Sequence, residues 1–177
     1  MRVHLLPASQ HRAQPWKNGL GVSYTIADHP VAAGFDGVLW QVGATDIPSD
    51  CPFSSLPGLD RIFTVREGAG VELSSVDEAG HARVARVEPF KPFAFRGDWK
   101  TDCRLLAGPV KVFNVMTRRG RFAADVSLST GGPLEGARDE TLLAVSFPGL
   151  DAWRAEGDGG QLTLPAGTFA VVRIRPA

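Results

Sequence analysis

Histidine is scarce in this chain: it occurs four times in 177 residues, as His4, His11, His29 and His81. No two of these stand at i, i+2 or i, i+4. Alternate residues of a strand face the same way, so a strand-borne metal site commonly begins with an H-x-H pair aiming two imidazoles at one ion. Without such a pair the four are read as loop or surface histidines, and neither a metal site nor another cofactor is expected. Cysteine is scarcer still, with Cys51 and Cys103 far apart and outside any C-x-x-C arrangement, which fits reduced thiols in a cytoplasmic protein. Nineteen basic residues balance nineteen acidic ones, so the basic excess typical of nucleic-acid binders is missing. The chain has no run of 18 apolar residues to form a membrane span. Its first sixteen residues lack the apolar h-region of a secretory leader. There is no G-x-S-x-G elbow and no Walker loop, and Gly68-Ala69-Gly70 reads as a hairpin turn rather than a dinucleotide fingerprint. No catalytic residue is nominated on these grounds.

What is abundant is punctuation. Twenty glycines and thirteen prolines are spread along the whole length, and they divide the apolar residues into short runs. These runs predict strands at 22–27, 38–44, 61–66, 70–74, 82–87, 104–107, 110–116, 122–128, 141–147, 161–164 and 169–174. A short helix is predicted only within 132–141, weakened by Gly136. Many strands at roughly ten-residue spacing indicate an all-β sandwich, jelly roll or barrel. A faint internal repeat refines this. Residues 62–73 (IFTVREGAGVEL) and 142–153 (LLAVSFPGLDAW) each read strand, glycine turn, strand, and after a polar turn the second copy continues into QLTLPAGTFAVV. Two such units suggest a bicupin, with two double-stranded β-helix lobes in one compact chain.

Four segments carry more chemistry than a turn or strand requires. In Pro15–Gly21 (PWKNGLG), Trp16, Lys17 and Asn18 stand beside glycines that permit close backbone approach, and the cation and amide suit an anion. A tight turn anchored by the tryptophan is the structural alternative. In 51–61 (CPFSSLPGLDR), Asp60 and Arg61 are adjacent at a strand entrance, so they face opposite sides of the sheet. An inward Arg61 suits bidentate carboxylate recognition and an inward Asp60 suits a cation, while a surface pair is the plainer reading. In 113–120 (FNVMTRRG), alternation sets Asn114, Met116 and Arg118 on one face, which suits a partly polar cavity or a solvated surface. The fourth, 93–99 (FAFRGDW), reads as a core strand ending in a turn.

In this order and spacing the four segments resemble the HutD/Ves family, whose pattern combines a WKNGGG-like loop with GPFS-x-FPG-x-DR, F-x-GD and FN-x-M-x-RRG segments. The match covers about the first 120 residues. Leu20 stands in place of the middle glycine and Cys51 in place of a glycine. Gln41 replaces a frequent arginine, and Val112 replaces a common acidic residue. The resemblance implies one bicupin unit over 1–177, with lobes of about 1–116 and 117–177. It also implies an accessory or regulatory role in bacterial histidine utilisation. The leading expectation is a non-catalytic cytoplasmic protein that binds a small carboxylate of the urocanate or N-formylglutamate type through Trp16, Lys17, Asn18, Asp60, Arg61, Asn114, Met116 and Arg118. No nucleic acid or membrane is expected as a partner, and a homodimer is left open. The alternatives are a metal-independent isomerase or hydrolase using Asp60 or Lys17, and a protein-interaction module with Trp99 or Trp153 in an exposed patch.

Overall fold

The computed structural model describes residues 1–15, 21–157 and 159–177. Among these the chain runs through β1 (Arg2–Leu6), β2 (Arg12–Pro15), β3 (Val22–His29), the one-turn helix α1 (Gly34–Gly37), β4 (Trp40–Ile47) and β5 (Cys51–Pro52). It continues with β6 (Leu59–Glu67), β7 (Val71–Val76), β8 (Ala82–Val87), β9 (Phe93–Arg96), β10 (Lys100–Leu105) and β11 (Val110–Arg118). The last strands are β12 (Phe122–Ser129), β13 (Gly132–Gly136), β14 (Thr141–Phe147), β15 (Ala152–Glu156), β16 (Gly160–Leu164) and β17 (Thr168–Pro176). The protein is all-β, and its sheets are open rather than closed into barrels.

The chain divides into two units, Arg12–Arg119 and Met1–His11 with Gly120–Ala177. In the first, a six-stranded sheet of order β2-β3-β4-β11-β6-β9 shares a core with a four-stranded sheet of order β5-β10-β7-β8. Strand alternation explains that core. Phe63 and Val65 of β6 and Val112 of β11 point inward to meet Val71 and Leu73 of β7 and Cys103 of β10. Cys51 and Cys103 lie opposite each other across β5 and β10, both buried and both free thiols. Trp99 packs against this core, and the Arg83 guanidinium lies over its ring.

The second unit sets the sheet β1-β15-β14-β17-β12 and the two-stranded sheet β13-β16 around Leu142, Ala144, Leu162, Leu164, Phe169 and Val171. Its first strand comes from the opposite end of the sequence, since β1 pairs with β15 along its whole length. Trp153 packs on this core in an edge contact with Phe169. One sequence expectation is corrected here: the helix predicted within 132–141 is strand β13 followed by a turn. Gly132 and Gly136 disfavour a helix, and Leu134 gains a packed place opposite Leu162 by pairing with β16.

Candidate ligand-binding site

The inner face of the six-stranded sheet changes character along its length. Towards one end it is the dry aromatic and aliphatic core just described. Towards the other, register sets polar side chains on that same face: Arg61 opposite Met116, Met116 opposite Gln41, Asn114 opposite Gly43, and Thr45 opposite Ser23. Residues directly opposite across an antiparallel pair share a face, so these groups line one surface. Gly43 is required there. A β-carbon at that position would sit 2.7 Å from the Tyr24 carbonyl oxygen, where β3 bulges between Thr25 and Ala27. Gly43 therefore leaves the centre of the polar surface without a side chain.

Arg61 dominates the electrostatics. It is only 8% exposed, and its Nε is enclosed without a hydrogen-bond partner. No ion pair engages it among the described residues. What it does have is aromatic: the guanidinium carbon lies 5.1 Å from the Phe53 ring centre and 4.9 Å from that of Phe95. These rings attract a cation but supply no acceptor for its enclosed Nε–H. Burial alone pulls the Arg61 pKa down to about 10. Even so, the side chain is fully charged at neutral pH. A buried charge is ordinarily paired, and a buried guanidinium with no carboxylate beside it among the described residues can chemically receive an anion.

The nearest amides and hydroxyls are neutral, and Asn114 is only partly satisfied. Asn114 is 7% exposed; its Nδ2 makes a long 3.4 Å contact to Thr45 Oγ1, and its Oδ1 has no partner. Gln41 donates to Thr25 Oγ1 at 3.2 Å, and Ser23 and Thr45 share a hydrogen bond at 3.2 Å. Asp28, on the same face beyond Gln41, is engaged by Arg12 and by the Ala32 backbone N–H. Met116 packs against Val38, Leu56 and Leu59, forming an apolar floor beside Arg61.

Of the other nominated residues that the structure describes, Asp60 and Arg118 are engaged by partners. Asp60 is on the opposite face of β6, where Arg119 binds it at 2.8 Å and also binds Asp98 at 2.6 Å. Arg118 has its donors engaged by backbone carbonyls: Nε reaches Val38 at 3.2 Å, Nη1 reaches Pro57 at 3.2 Å, and Nη2 reaches Phe35 at 2.6 Å and Asp36 at 3.1 Å. Trp16, Lys17 and Asn18 lie outside the described residues. The 51–61, 93–99 and 113–120 segments thus serve two purposes. Arg61 and Asn114 face the polar surface, while Asp60, Asp98, Arg118 and Arg119 lock the loops at its rim. Gly97 belongs to the lock. Its N–H donates to the Leu59 carbonyl and its carbonyl accepts from Leu56 N–H, so a β-carbon there would meet Leu56 O at 2.5 Å.

Sequence reasoning missed Phe53, Phe95, Gln41 and Thr45 as lining groups. The signal for two of them was present: in WQVGATDI, the residues Gln41, Gly43 and Thr45 alternate with buried Trp40, Val42 and Ala44. Alternation puts Gln41, Gly43 and Thr45 on one face, the face that Met116 and Asn114 share on β11. Among the described residues no group of three or more His, Cys, Asp or Glu side chains is placed to hold a metal ion.

Comparison with known proteins gives a consistent result. Residues 8–175 match the HutD family. A curated Pseudomonas putida protein, described as an uncharacterised 21.2 kDa protein in the hutC 3' region, is 32% identical over 123 residues, covering 70% of this chain. The match spans 62% of that protein's length. Among solved structures, a conserved protein of unknown function from Pseudomonas aeruginosa PAO1 superposes with a TM-score of 0.81 at 28% identity, covering 99% of this chain and all of that one. HutD from Pseudomonas fluorescens SBW25, solved in a formate condition, gives 0.80 at 26% identity, with 99% and 100% coverage. A Bacillus subtilis oxalate decarboxylase variant gives 0.60 at 7% identity over 97% of this chain and 76% of its own, a likeness of fold alone. The fold is thus similar to that of cupin enzymes, and the chain belongs to the HutD family.

Proposed function

We propose that this protein is a non-catalytic receptor for a small carboxylate, acting as an accessory or regulatory component of histidine utilisation. The single observation that carries the reading is Arg61: a buried guanidinium with no ion-pair partner among the described residues, on a face that also carries the amides of Gln41 and Asn114 and the hydroxyls of Thr25 and Thr45. A carboxylate docking there gains charge-assisted hydrogen bonds and relieves the cost of the lone charge at the same time. The pathway assignment is supported by family membership and by the name of the P. putida relative. Urocanate and N-formylglutamate are the ligand types that pathway offers. We also propose that each unit is one cupin lobe of a bicupin, a reading supported by the internal repeat and by the cupin-like neighbour. A cytoplasmic location fits the two unpaired thiols, and no helix of the described residues is long and apolar enough to cross a membrane. Self-association as a homodimer is compatible with this role.

Calorimetric titration with urocanate, N-formylglutamate, glutamate, histidine and formate tests the proposal. Saturable binding of at least one acid, without its chemical conversion over hours, is the expected result. Turnover of a bound acid, or no binding by any of them up to millimolar concentration, would rule the receptor reading out.

A further inference from the structure

The two rings beside Arg61 reach it by different routes. Phe95 stands directly opposite Arg61 on the neighbouring strand β9, so the sheet itself sets that ring on the inner face. Phe53 comes instead from the loop that follows the two-residue strand β5, and it is only partly buried. That loop is tied down along its length. Phe53 N–H donates to the Thr101 carbonyl at 2.8 Å, Leu56 N–H to the Gly97 carbonyl at 2.8 Å, and Gly58 N–H to Asp98 Oδ1 at 3.0 Å. The Phe53 and Phe95 ring centres are 6.2 Å apart and the planes are inclined by 28°. The guanidinium carbon is about as far from each centre, at 5.1 and 4.9 Å. The rings therefore form one aromatic bed that the guanidinium bridges, rather than two walls on either side of it.

We infer that Phe53 is a positioning residue for the anion site: its ring, presented by the pinned 53–58 loop, holds the Arg61 guanidinium ready for a ligand without neutralising it. This rests on the reading of Arg61 as the anion seat and names what prepares that seat. A protein carboxylate in the same place would fix the guanidinium too, but an incoming acid would have to displace it. An aromatic face attracts the cation through its quadrupole and offers no carboxylate oxygen to compete for the N–H donors. The bed also strips water from a long, rotamer-rich side chain and restricts it before the ligand arrives. Less ordering and desolvation then falls on the binding step. Leucine at position 53 keeps apolar bulk but loses the π face, so that cost returns to the ligand.

The test uses the full chain and two readouts. The first is titration of wild type, Phe53→Leu, Phe53→Tyr and Arg61→Leu with urocanate, N-formylglutamate, glutamate, histidine and formate. Any of these acids that binds wild type should bind Phe53→Leu about fivefold more weakly or worse, while Phe53→Tyr, which keeps the π face, stays within about twofold of wild type. The second readout needs no ligand: a double-mutant cycle of Phe53→Leu with Arg61→Leu, followed by denaturant unfolding. Leucine replaces Arg61 here because it has no thioether to contact the rings. Phe53→Leu should lower the folding equilibrium constant about threefold more when Arg61 is present than when it is replaced. Because Phe95 is buried and its replacement risks misfolding, the partly exposed Phe53 carries the test. Equal binding by Phe53→Leu and wild type, where Arg61→Leu abolishes binding, overturns the positioning role and leaves the receptor reading intact. Equal losses in the leucine and tyrosine variants overturn it as well, because the π face would then not matter. A cycle with no coupling overturns the contact itself, whichever acid binds. Absence of Arg61-dependent binding for all five acids removes the receptor reading and this inference together.

Discussion

Arg61 and Arg118 sit one strand apart on the same face of one sheet, and they have opposite surroundings. Arg118 is half-buried and has its nitrogens directed at backbone carbonyls from two separate loops. Arg61 is more deeply buried and has no such carbonyl among the described residues. The same side chain is therefore a structural staple in one place and an unsatisfied charge in the other. A satisfied cation contributes to folding and is costly to remove. An unsatisfied one works against folding until something fills the site. Fold and function thus place opposite demands on two residues of one chemical type.

Mutations separate the two roles most sharply at the rim. Gly97→Ala should have the largest effect, because the new β-carbon would lie 2.5 Å and 2.9 Å from two backbone oxygens of the 56–59 loop. A loss of about 4 kcal/mol or failure to fold is expected by chemical denaturation, since neither oxygen belongs to a flexible side chain. Arg118→Ala should follow, with about 2–3 kcal/mol lost as its carbonyl partners give up a charged donor, again read from denaturant midpoints. Arg61→Met should move the other way. At neutral pH the lone guanidinium is charged in both folded and unfolded chains, and a fall from the usual arginine range to about 10 corresponds to a cost on the order of 3 kcal/mol. That cost persists until pH rises through about 10, so between neutral pH and there the ligand-free variant should match or exceed wild type in stability.

The smallest effect concerns acid. The Arg119 hydrogen bond, helped by the Gly58 N–H, holds the Asp98 carboxyl below its ordinary range. A carboxylate lowered in the folded state adds stability that is present above its unfolded value, near 4, and is lost as pH falls through the depressed one. Wild type should therefore lose stability more steeply below about pH 4 than Arg119→Ala does, as measured by thermal melts across pH 3–6. Because Asp98 is near the surface, solvent screening keeps this difference modest.

How much of this was legible in the sequence follows from the same contrast. Alternation and turn residues showed the all-β class, because apolar runs this short and this regularly interrupted do not bury a helix face. They did not reveal β1 or β13. In β1 most residues remain exposed, and the identity of its partner depends on β15, some 150 residues away. The adjacency of Asp60 and Arg61 correctly implied opposite faces, but not which face was inner, since a shift of one residue exchanges them. Asn114, Met116 and Arg118 share a face by period two, as expected. Only the loops that reach Arg118 distinguish it from its strand neighbours, and those loops are 60 to 80 residues distant in sequence.

The central claim is that Arg61 is the seat of an anionic ligand, and paired titrations of wild type and Arg61→Met test it most directly. Whichever small carboxylate binds wild type should bind the variant at least 30-fold more weakly, about 2 kcal/mol, while the variant melts no lower than wild type without ligand. Equal affinity for that acid in the two proteins, with the variant folded, would contradict the claim.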